Sequence, residues 1–223
     1  MQVRSVLLEK LSGLRQEIQV MANRVDEDLN MAITALRSND AELAKEVVAG
    51  DAVVNAMQLK IEDEAAIVMA TQQPVARDLR EMVTIFKLTS SLERIGDHAV
   101  HLSKTVIKLS DKSSLNSSNI SAVRLEKMAE IGREMLRNAI TAYLSQDAEA
   151  ARKTASLDEE IDKENKALLD EILAFMKKRP ELIKQAARLF HTSNQLERLG
   201  DHITNICENI IYMVEGRHEE LNP

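Results

Sequence analysis

The sequence predicts an all-α protein made of two tandem antiparallel three-helix bundles related by internal duplication. Three observations predict it: a helix-rich composition, a collinear internal repeat, and helix-breaking residues at matching places in the two halves. The 223 residues include only Gly 6 and Pro 3, and aromatic residues make up 2% of the chain. Because 44% of the residues are nevertheless hydrophobic, we expect an aliphatic, methionine-containing core between packed helices.

The repeat is visible in two pairs of segments. AITALRSNDAELA, which begins at Ala32, matches AITAYLSQDAEAA, which begins at Ala139, at an offset of 107 residues. SLERIGDH, which begins at Ser91, matches QLERLGDH, which begins at Gln195, at an offset of 104. Collinear matches indicate duplication, with a three-residue indel between them. The predicted units are residues 1–112 and 120–218, joined by a Ser/Asn-rich linker at 113–119.

Breaker residues predict three helices in each unit. In copy one, Ser-Asn-Asp at 38–40 ends the first helix and caps the second, and Gln-Gln-Pro at 72–74 ends the second. Ser-Gln-Asp at 145–147 and Lys-Arg-Pro at 178–180 mark the same points in copy two. Helices of roughly 30 residues joined by short turns imply antiparallel neighbours. Gly50, inside the second helix of copy one, is a position where that helix could break.

An apolar stripe with a spacing of three and four residues runs along the third helix of each unit and is predicted to face the core. The stripes are Ile85, Leu88, Leu92, Ile95, Ala99, Leu102, Val106 and Leu109 in copy one, and Leu189, Thr192, Leu196, Leu199, Ile203, Ile206, Ile210 and Met213 in copy two. At about 100° per residue, Glu93 and Asp97 lie opposite the stripe, and Glu197 and Asp201 repeat this arrangement. These acidic pairs are predicted to point outward.

Further acidic residues lie near the start of each second helix. Asp51 and Asn55 in copy one match Asp158 and Asp162 in copy two, and Glu62 follows on the Asp51 face about three turns later. Like charges one turn apart weaken a helix, so their repetition calls for a compensating interaction. Neighbouring arginines could pair with them, or the two faces could converge on a hard cation such as Mg²⁺, Mn²⁺, Fe or Zn.

The histidines of the repeated motif admit two interpretations. His98 and His202 are either nitrogen donors to a metal or packed histidines at the edge of the core stripe. His101 lies one turn beyond Asp97, but its counterpart is Asn205, which makes it a weaker candidate for a shared role.

Two glycines are repeated inside the third helices. Gly96 and Gly200 each cost about 1 kcal/mol relative to alanine in a helix interior. Close approach of a neighbouring helix would explain why glycine stands there.

Charge and composition argue against several function classes. A formal net charge of -7 is unsuited to nucleic acid, which binds to basic surfaces. No Gly-rich phosphate loop with its lysine is present, so nucleotide hydrolysis is not predicted. The amino terminus has no apolar segment of signal-peptide length, the run AAIVMA is too short to cross a bilayer, and Cys207 stands alone. We expect a cytoplasmic protein that meets a membrane only through partners.

The paired LERIGDH and LERLGDH motifs, with their companion acidic positions at 51–55 and 158–162, resemble the repeated signature of the PhoU family over residues 1–218. The resemblance implies a PhoU-like fold and a cytoplasmic negative regulator of phosphate uptake and phosphate-starvation signalling. Such a regulator couples a phosphate ABC transporter, through its ATPase subunit, to a two-component sensor histidine kinase. The expected assembly is a homodimer without catalytic residues.

The resemblance also implies metal sites. In the PhoU family, E(D)XXXD motifs bind multinuclear metal clusters at the surface. Carried over to this sequence, the implied ligands are Glu93, Asp97, Glu197, Asp201, Asp158 and Asp162, with Asp51 and Asn55 as the companion pair of copy one. Asn55 departs from the acidic pattern, so the copy-one cluster is expected to be weaker or smaller.

Two other classes of function stay open. A metal-free helical scaffold would share every feature except the bound metal. A ferritin-like di-iron oxidase would need inward-pointing Glu-x-x-His pairs, and only Glu215 to His218 has that spacing.

Overall fold

A computed structural model describes residues 2–110 and 122–222, which are almost entirely helical and contain no strand. Within these two ranges the elements are α1 (Gln2–Ser38), α2 (Ala41–Gln72), α3 (Ala76–Ser110), α4 (Ala122–Ser145), α5 (Ala148–Ala155), α6 (Asp158–Lys178), a 3₁₀ turn (Pro180–Leu182) and α7 (Ile183–Glu215). The predicted linker at 113–119, and the predicted unit boundaries at 112 and 120, lie outside the described residues.

Aspartate caps explain where the second helices begin. Asp40 and Asp147 hold an extended backbone conformation, and each side chain accepts hydrogen bonds from two backbone N–H groups of the next turn. The residues before them, Asn39 and Gln146, have positive φ angles of 53° and 55°, which reverse the chain within a few residues. The predicted caps at both turns are confirmed.

Each half of the chain packs as a three-helix bundle, with α1, α2 and α3 in copy one and α4, α5–α6 and α7 in copy two. The predicted all-α fold with two such bundles is confirmed. Every residue of the two predicted apolar stripes is buried, at 3% exposure or less. The core is aliphatic, and methionines such as Met21, Met82 and Met128 are fully buried in it. None of the described helices is long and apolar enough to cross a lipid bilayer.

The second helix of copy two is divided, which contradicts the prediction of one long helix. Between α5 and α6, the backbone N–H of Leu157 bonds to the carbonyl of Thr154, three residues back, where an α-helix would use the carbonyl four residues back. In copy one, α2 passes through Gly50 without a break. The division places Asp158 in the first turn of α6.

The two bundles meet along α3 and α7, which run antiparallel, and along α1 and α4. Hydrogen bonds across the α3–α7 seam join Arg80 to Met213 (3.3 Å), Thr84 to Asn209 (3.2 Å) and Thr105 to Thr192 (2.9 Å). Between α1 and α4, Arg133 donates two hydrogen bonds to Asp26, at 2.9 and 3.2 Å. The seam brings the two repeated motifs side by side.

Candidate functional site

The acidic residues predicted in copy two converge between α6 and α7. Burial, together with the charges of Asp162 and Asp201, raises the pKa of Asp158 to about 7. Burial, followed by the charge of Asp201, also raises the pKa of Asp162 and of Glu197. The four carboxylates therefore form one electrostatic cluster, here called the copy-two acidic cluster. Asp158 is only 6% exposed, so it lies below the surface at which the resemblance places metal.

Asp158 fits in its place because residue 200 is glycine. A methyl group added at Gly200 would overlap Oδ1 of Asp158, and would lie 3.1 Å from Cγ of Asp158 and from Cδ1 of Ile161. At the matching Gly96 the added methyl would lie 3.4 Å from Cγ1 of Val54, which is an ordinary contact. The expected close approach of a neighbouring helix is therefore confirmed, and it is tight only at Gly200.

The two oxygens of Asp158 differ in their surroundings. Oδ2 accepts hydrogen bonds from Nδ2 of Asn222 (3.1 Å) and from the hydroxyl of Thr204 (3.4 Å). Oδ1 is buried and has no hydrogen-bond partner among the described residues. Asn222 also donates to Oδ1 of Asp201 at 2.7 Å, so one amide group bridges two carboxylates. A buried, unpaired carboxylate oxygen is unfavourable, and a cation is one group that would satisfy it.

A pocket of about 170 Å³ adjoins this cluster, and Asp158, Asp162, Thr204 and Asn222 line it. Across residues 2–110 and 122–222, no group of three or more His, Cys, Asp or Glu side chains is arranged as a ready metal site. The copy-two acidic cluster fits a hard cation, because its four charged groups are all carboxylates; Arg152, which also lines the pocket, is paired with Glu215 and Glu219. Their side chains would have to turn inward to share one ion.

The acidic face of copy one is organised differently. Arg94 pairs with Glu93 at 3.5 Å and with Asp97 at 3.2 Å. Nδ2 of Asn55 lies 3.5 Å from Oδ2 of Asp51, a long hydrogen bond. Burial raises the pKa of Glu93, and the charge of Asp97 adds to the rise. The salt-bridge interpretation therefore describes copy one.

In copy two the matching arginine behaves otherwise. Within residues 122–222, Arg198 forms no ion pair with Glu197 or Asp201. Glu197 and Asp201 of copy two thus lack an ion pair like those by which Arg94 offsets the negative charges of Glu93 and Asp97 in copy one. Glu62, which follows on the Asp51 face of copy one, accepts hydrogen bonds from Gln58 and Thr89.

Sequence reasoning missed Thr204 and Asn222. Thr204 lies seven residues after Glu197 on the same face of α7, and Val100 stands at the matching place in copy one. That spacing was a usable signal. Asn222 lies beyond the duplicated units and has no counterpart in copy one, so only the fold brings it to Asp158.

The motif histidines lie at the α3–α7 seam and not within the acidic faces. His98 is 5% exposed, its Nδ1 lies 3.0 Å from Oε1 of Gln195, and its ring centre lies 5.5 Å from that of His202. Burial, together with the neighbouring His202, lowers the pKa of His98 to about 4. His101 contacts the ring of His191 edge-on, with 5.9 Å between the ring centres. The packed interpretation describes His98 better than a ligand role beside Asp97.

The Glu-x-x-His pair that a di-iron enzyme would need is engaged elsewhere. Glu215 pairs with Arg152 at 2.9 Å and with Arg217 at 2.8 Å. His218 stacks on Tyr212 with 4.2 Å between the ring centres. Both Glu215 and His218 are exposed at the end of α7 and do not point into a bundle.

Alanine at the two motif glycines is expected to have opposite effects on stability. Gly96→Ala should stabilise the protein by about 0.5–1 kcal/mol, because alanine is favoured in a helix and its methyl finds room. Gly200→Ala should destabilise it by about 1–3 kcal/mol, because the methyl displaces Asp158 and crowds Ile161. Urea unfolding in the presence of a chelator measures both, and equal shifts for the two variants would show that Gly200 does not hold Asp158 in place.

Comparison with known proteins agrees with this architecture. The family model described as the PhoU domain matches residues 18–106 and 125–210, once in each half. The phosphate-specific transport system accessory protein PhoU homolog of Pseudomonas putida is 34% identical over 207 residues, covering 93% of this chain and 80% of that protein. The phosphate-specific transport system accessory protein PhoU of Escherichia coli K12 is 31% identical over 208 residues, covering 93% and 85%.

Two solved structures share the fold. The crystal structure of PhoU from Pseudomonas aeruginosa superposes with a TM-score of 0.88 at 32% identity, covering 94% of this chain and 99% of that one. The phosphate transport system regulatory protein PhoU from Streptococcus pneumoniae gives a TM-score of 0.88 at 31% identity, covering 96% and 99%. Matches of this extent in both halves, on the same duplicated helical architecture, show that the chain belongs to the PhoU family.

Proposed function

We propose that this chain is a cytoplasmic negative regulator of phosphate uptake and phosphate-starvation signalling. Membership of the PhoU family, and the names of its relatives as phosphate-specific transport system accessory proteins, support a role in regulating phosphate transport. In this proposal the chain acts by binding and not by catalysis. Its partners are the ATPase subunit of a phosphate ABC transporter and a sensor histidine kinase, and the working form is a homodimer.

The metal-binding part of the proposal is supported by the copy-two acidic cluster. Asp158 holds a buried, unpaired oxygen beside three further carboxylates, and a cation would offset their mutual repulsion. Divalent or trivalent ions such as Fe, Zn, Mn or Mg, in multinuclear clusters, are the proposed occupants. The proposed ligands are Glu197, Asp201, Asp158 and Asp162 in copy two, and Glu93, Asp97, Asp51 and Asn55 in copy one.

The Asn222 amide would then change partners. It bridges Asp158 and Asp201 in the structure, and its N–H groups supply partial positive charge between the two carboxylates. A bound cation supplies full charge at the same place, so metal and the Asn222 hydrogen bonds are expected to compete.

A metal-free scaffold is the second candidate, and the pairing of Arg94 with Glu93 and Asp97 favours it. That pairing offsets the charges of Glu93 and Asp97 without a metal ion. Elemental analysis of protein purified without chelator separates the two candidates, because only the metal-binding one retains metal through dialysis.

Deleting the gene from its host is expected to raise phosphate uptake in phosphate-rich medium and to raise the output of the sensor kinase. Radiolabelled phosphate uptake and a kinase-dependent reporter measure the two effects, and a plasmid copy of the wild-type gene should reverse both. A plasmid copy carrying Glu197→Ala and Asp201→Ala tests whether the acidic cluster is needed. Unchanged uptake together with unchanged kinase output in the deletion strain would count decisively against the regulatory role.

A further inference from the structure

The outer side of the α1–α2 helix pair is exposed and largely apolar. It comprises Val6, Gly13 and Val20 of α1 and Val53, Met57, Lys60 and Ile67 of α2, and is here called the α1–α2 face. Val20 is 50% exposed and Ile67 is 61% exposed. A groove of about 410 Å³ opens on this face between the two helices, and Gly13, Val20 and Met57 are among its lining residues. Copy one therefore presents apolar side chains on a surface that is usually polar in a helix bundle.

In copy two the matching surface is crossed by ion pairs. At the repeat offset of 107 residues, Val20 matches Lys127 and Met57 matches Glu164. Nζ of Lys127 lies 2.6 Å from Oε1 of Glu164, and Arg124 also pairs with Glu164. The two apolar residues that line the groove in copy one are thus replaced in copy two by a lysine and a glutamate that bind each other across it.

The core fixes the alignment on which this comparison depends. Ile18 and Ile61 of copy one are fully buried, and so are Leu125 and Leu168, which match them at the same offset. The shared fold therefore preserves the apolar core positions but does not require apolar residues on the outer side of the first two helices. Because a bundle of this fold is formed with a charged outer side in copy two, the apolar α1–α2 face of copy one is explained by a contact outside the bundle.

A second copy of the chain has the size and shape to cover this face. Two α1–α2 pairs packed against each other form a four-helix bundle, which buries the apolar sides of both pairs. Residues 49–70 of α2 extend over about 33 Å, and two neighbouring helices are roughly 20 Å wide. The contact would cover roughly 600 Å² on each copy, or about 1,200 Å² in total, which is the lower limit of a standard stable interface.

The charged residues of the groove are self-complementary. Nζ of Lys60 lies 2.7 Å from Oε1 of Glu17 across the groove, so these two residues are level along the helix axes. A two-fold axis parallel to the helices keeps each residue at its own level and places α2 of one copy against α1 of the other. Lys60 of each copy then lies level with Glu17 of the other, and Met57 lies level with Val20. Each copy thus supplies both the cation and the anion that the other copy needs.

We propose that two copies of the chain dock through their α1–α2 faces, about a two-fold axis parallel to the helices. The inference rests on the homodimer of the proposed function and gives that homodimer its interface. The acidic residues lie elsewhere: Glu93 is close to Asp51 between α3 and α2, and the copy-two acidic cluster lies between α6 and α7. Dimerisation therefore leaves both proposed metal sites open to solvent.

Sedimentation velocity of the full chain tests the proposal, and the wild type should sediment as a dimer at micromolar concentration. Val20→Lys combined with Met57→Glu transfers the copy-two ion pair to copy one and should weaken association at least about tenfold. Leu173→Glu, which places a charge on an exposed apolar residue of α6, is the matched control and should leave association within about twofold. A double variant that dimerises as strongly as the wild type would overturn this interface and leave the homodimer standing. A monomeric wild type would overturn both, and phosphate uptake in the deletion strain tests the regulatory role separately.

Disulfide cross-linking tests the same contact without adding charge to the groove. Val20→Cys chains, mixed with size-tagged Met57→Cys chains under mild oxidation, should form a linked dimer that contains one copy of each, because the two positions come level across the axis. The native Cys207 is buried and does not compete. Leu173→Cys chains mixed with Met57→Cys chains are the control and should stay unlinked. Absence of the mixed cross-link, or an equal yield in the control, would place the dimer contact on another surface and overturn the proposal.

Discussion

Asp158→Asn is expected to raise the melting temperature of the chelator-treated protein at pH 8. Asp158 is 6% exposed, and burial together with the charges of Asp162 and Asp201 raises its pKa to about 7. At pH 8 the folded chain therefore contains a buried, ionised carboxylate in a negative environment. Asparagine keeps the size of the side chain, and its carbonyl can still accept a hydrogen bond from Asn222. We expect a gain on the order of 1 kcal/mol, or about 2–4 °C.

The raised pKa of Asp158 also fixes the direction of the pH dependence. The folded chain binds the Asp158 proton more tightly than the unfolded chain, in which an aspartate has a pKa near about 4. As the pH falls from about 8 to about 5, the folded state takes up a proton that the unfolded state does not, so the free energy of unfolding rises. Asp158→Asn should flatten this rise.

Thermal melts across that pH range, with chelator present, measure both effects. Asp170→Asn, at an exposed position of the same helix, is the matched control and should change neither. Adding a divalent cation should stabilise the wild type by mass action and stabilise Asp158→Asn less. A wild type that loses stability steadily from pH 8 to pH 6, or an Asp158→Asn variant that melts lower without metal, would contradict the cluster described above.

Local patterns were sufficient for the helices because the signals that set them are themselves local. The three-four spacing of the α3 stripe and the aspartate caps at 40 and 147 depend on residues within a turn or two. The division of the second helix in copy two could not be predicted from such local signals. Leu157 stands where copy one has Gly50, yet the helix divides at the leucine and continues through the glycine.

Tertiary packing explains the role of Gly50. A methyl group there would overlap the guanidinium of Arg24, so the glycine admits a side chain of α1 and does not end α2. Arg24 in turn pairs with the buried Asp28 at 2.9 Å. A contact between different helices leaves no signature in the local sequence, so the sequence left a break at Gly50 open, and the structure shows that α2 continues through it.

The candidate site, too, depends on contacts that the local sequence does not predict. The i, i+4 acidic pairs and their place on the third helices follow from spacing alone. Their convergence in copy two depends on the space beside Gly200 and on Asn222, which lies 64 residues along the chain from Asp158. The assignment of these residues as metal ligands stays a prediction.

Replacing Glu197 and Asp201 together by alanine is expected to release more bound metal than replacing Glu93 and Asp97. The carboxylates available are Glu197, Asp201, Asp158 and Asp162 in copy two, and Glu93, Asp97 and Asp51, beside the neutral Asn55, in copy one. The affinity of a hard cation rises with the number of anionic oxygens. Arg94 adds a second reason, because it already pairs with both motif carboxylates of copy one.

Both double variants are expected to keep their fold when metal is absent. Removing like charges one turn apart relieves repulsion, and the raised pKa of Glu197 and of Glu93 indicates that their ionised forms are disfavoured in the folded chain. Thermal melts in chelator check this expectation. A variant that melts well below the metal-free wild type would show that its acidic pair has a structural role.

The metal content per chain, measured by elemental analysis after purification without chelator and exhaustive dialysis, tests most directly whether the acidic faces are metal sites. We predict bound metal in the wild type, the larger loss in Glu197→Ala/Asp201→Ala, and the smaller loss in Glu93→Ala/Asp97→Ala. A wild-type protein without metal, or a copy-one variant that loses as much metal as the copy-two variant or more, would contradict the account.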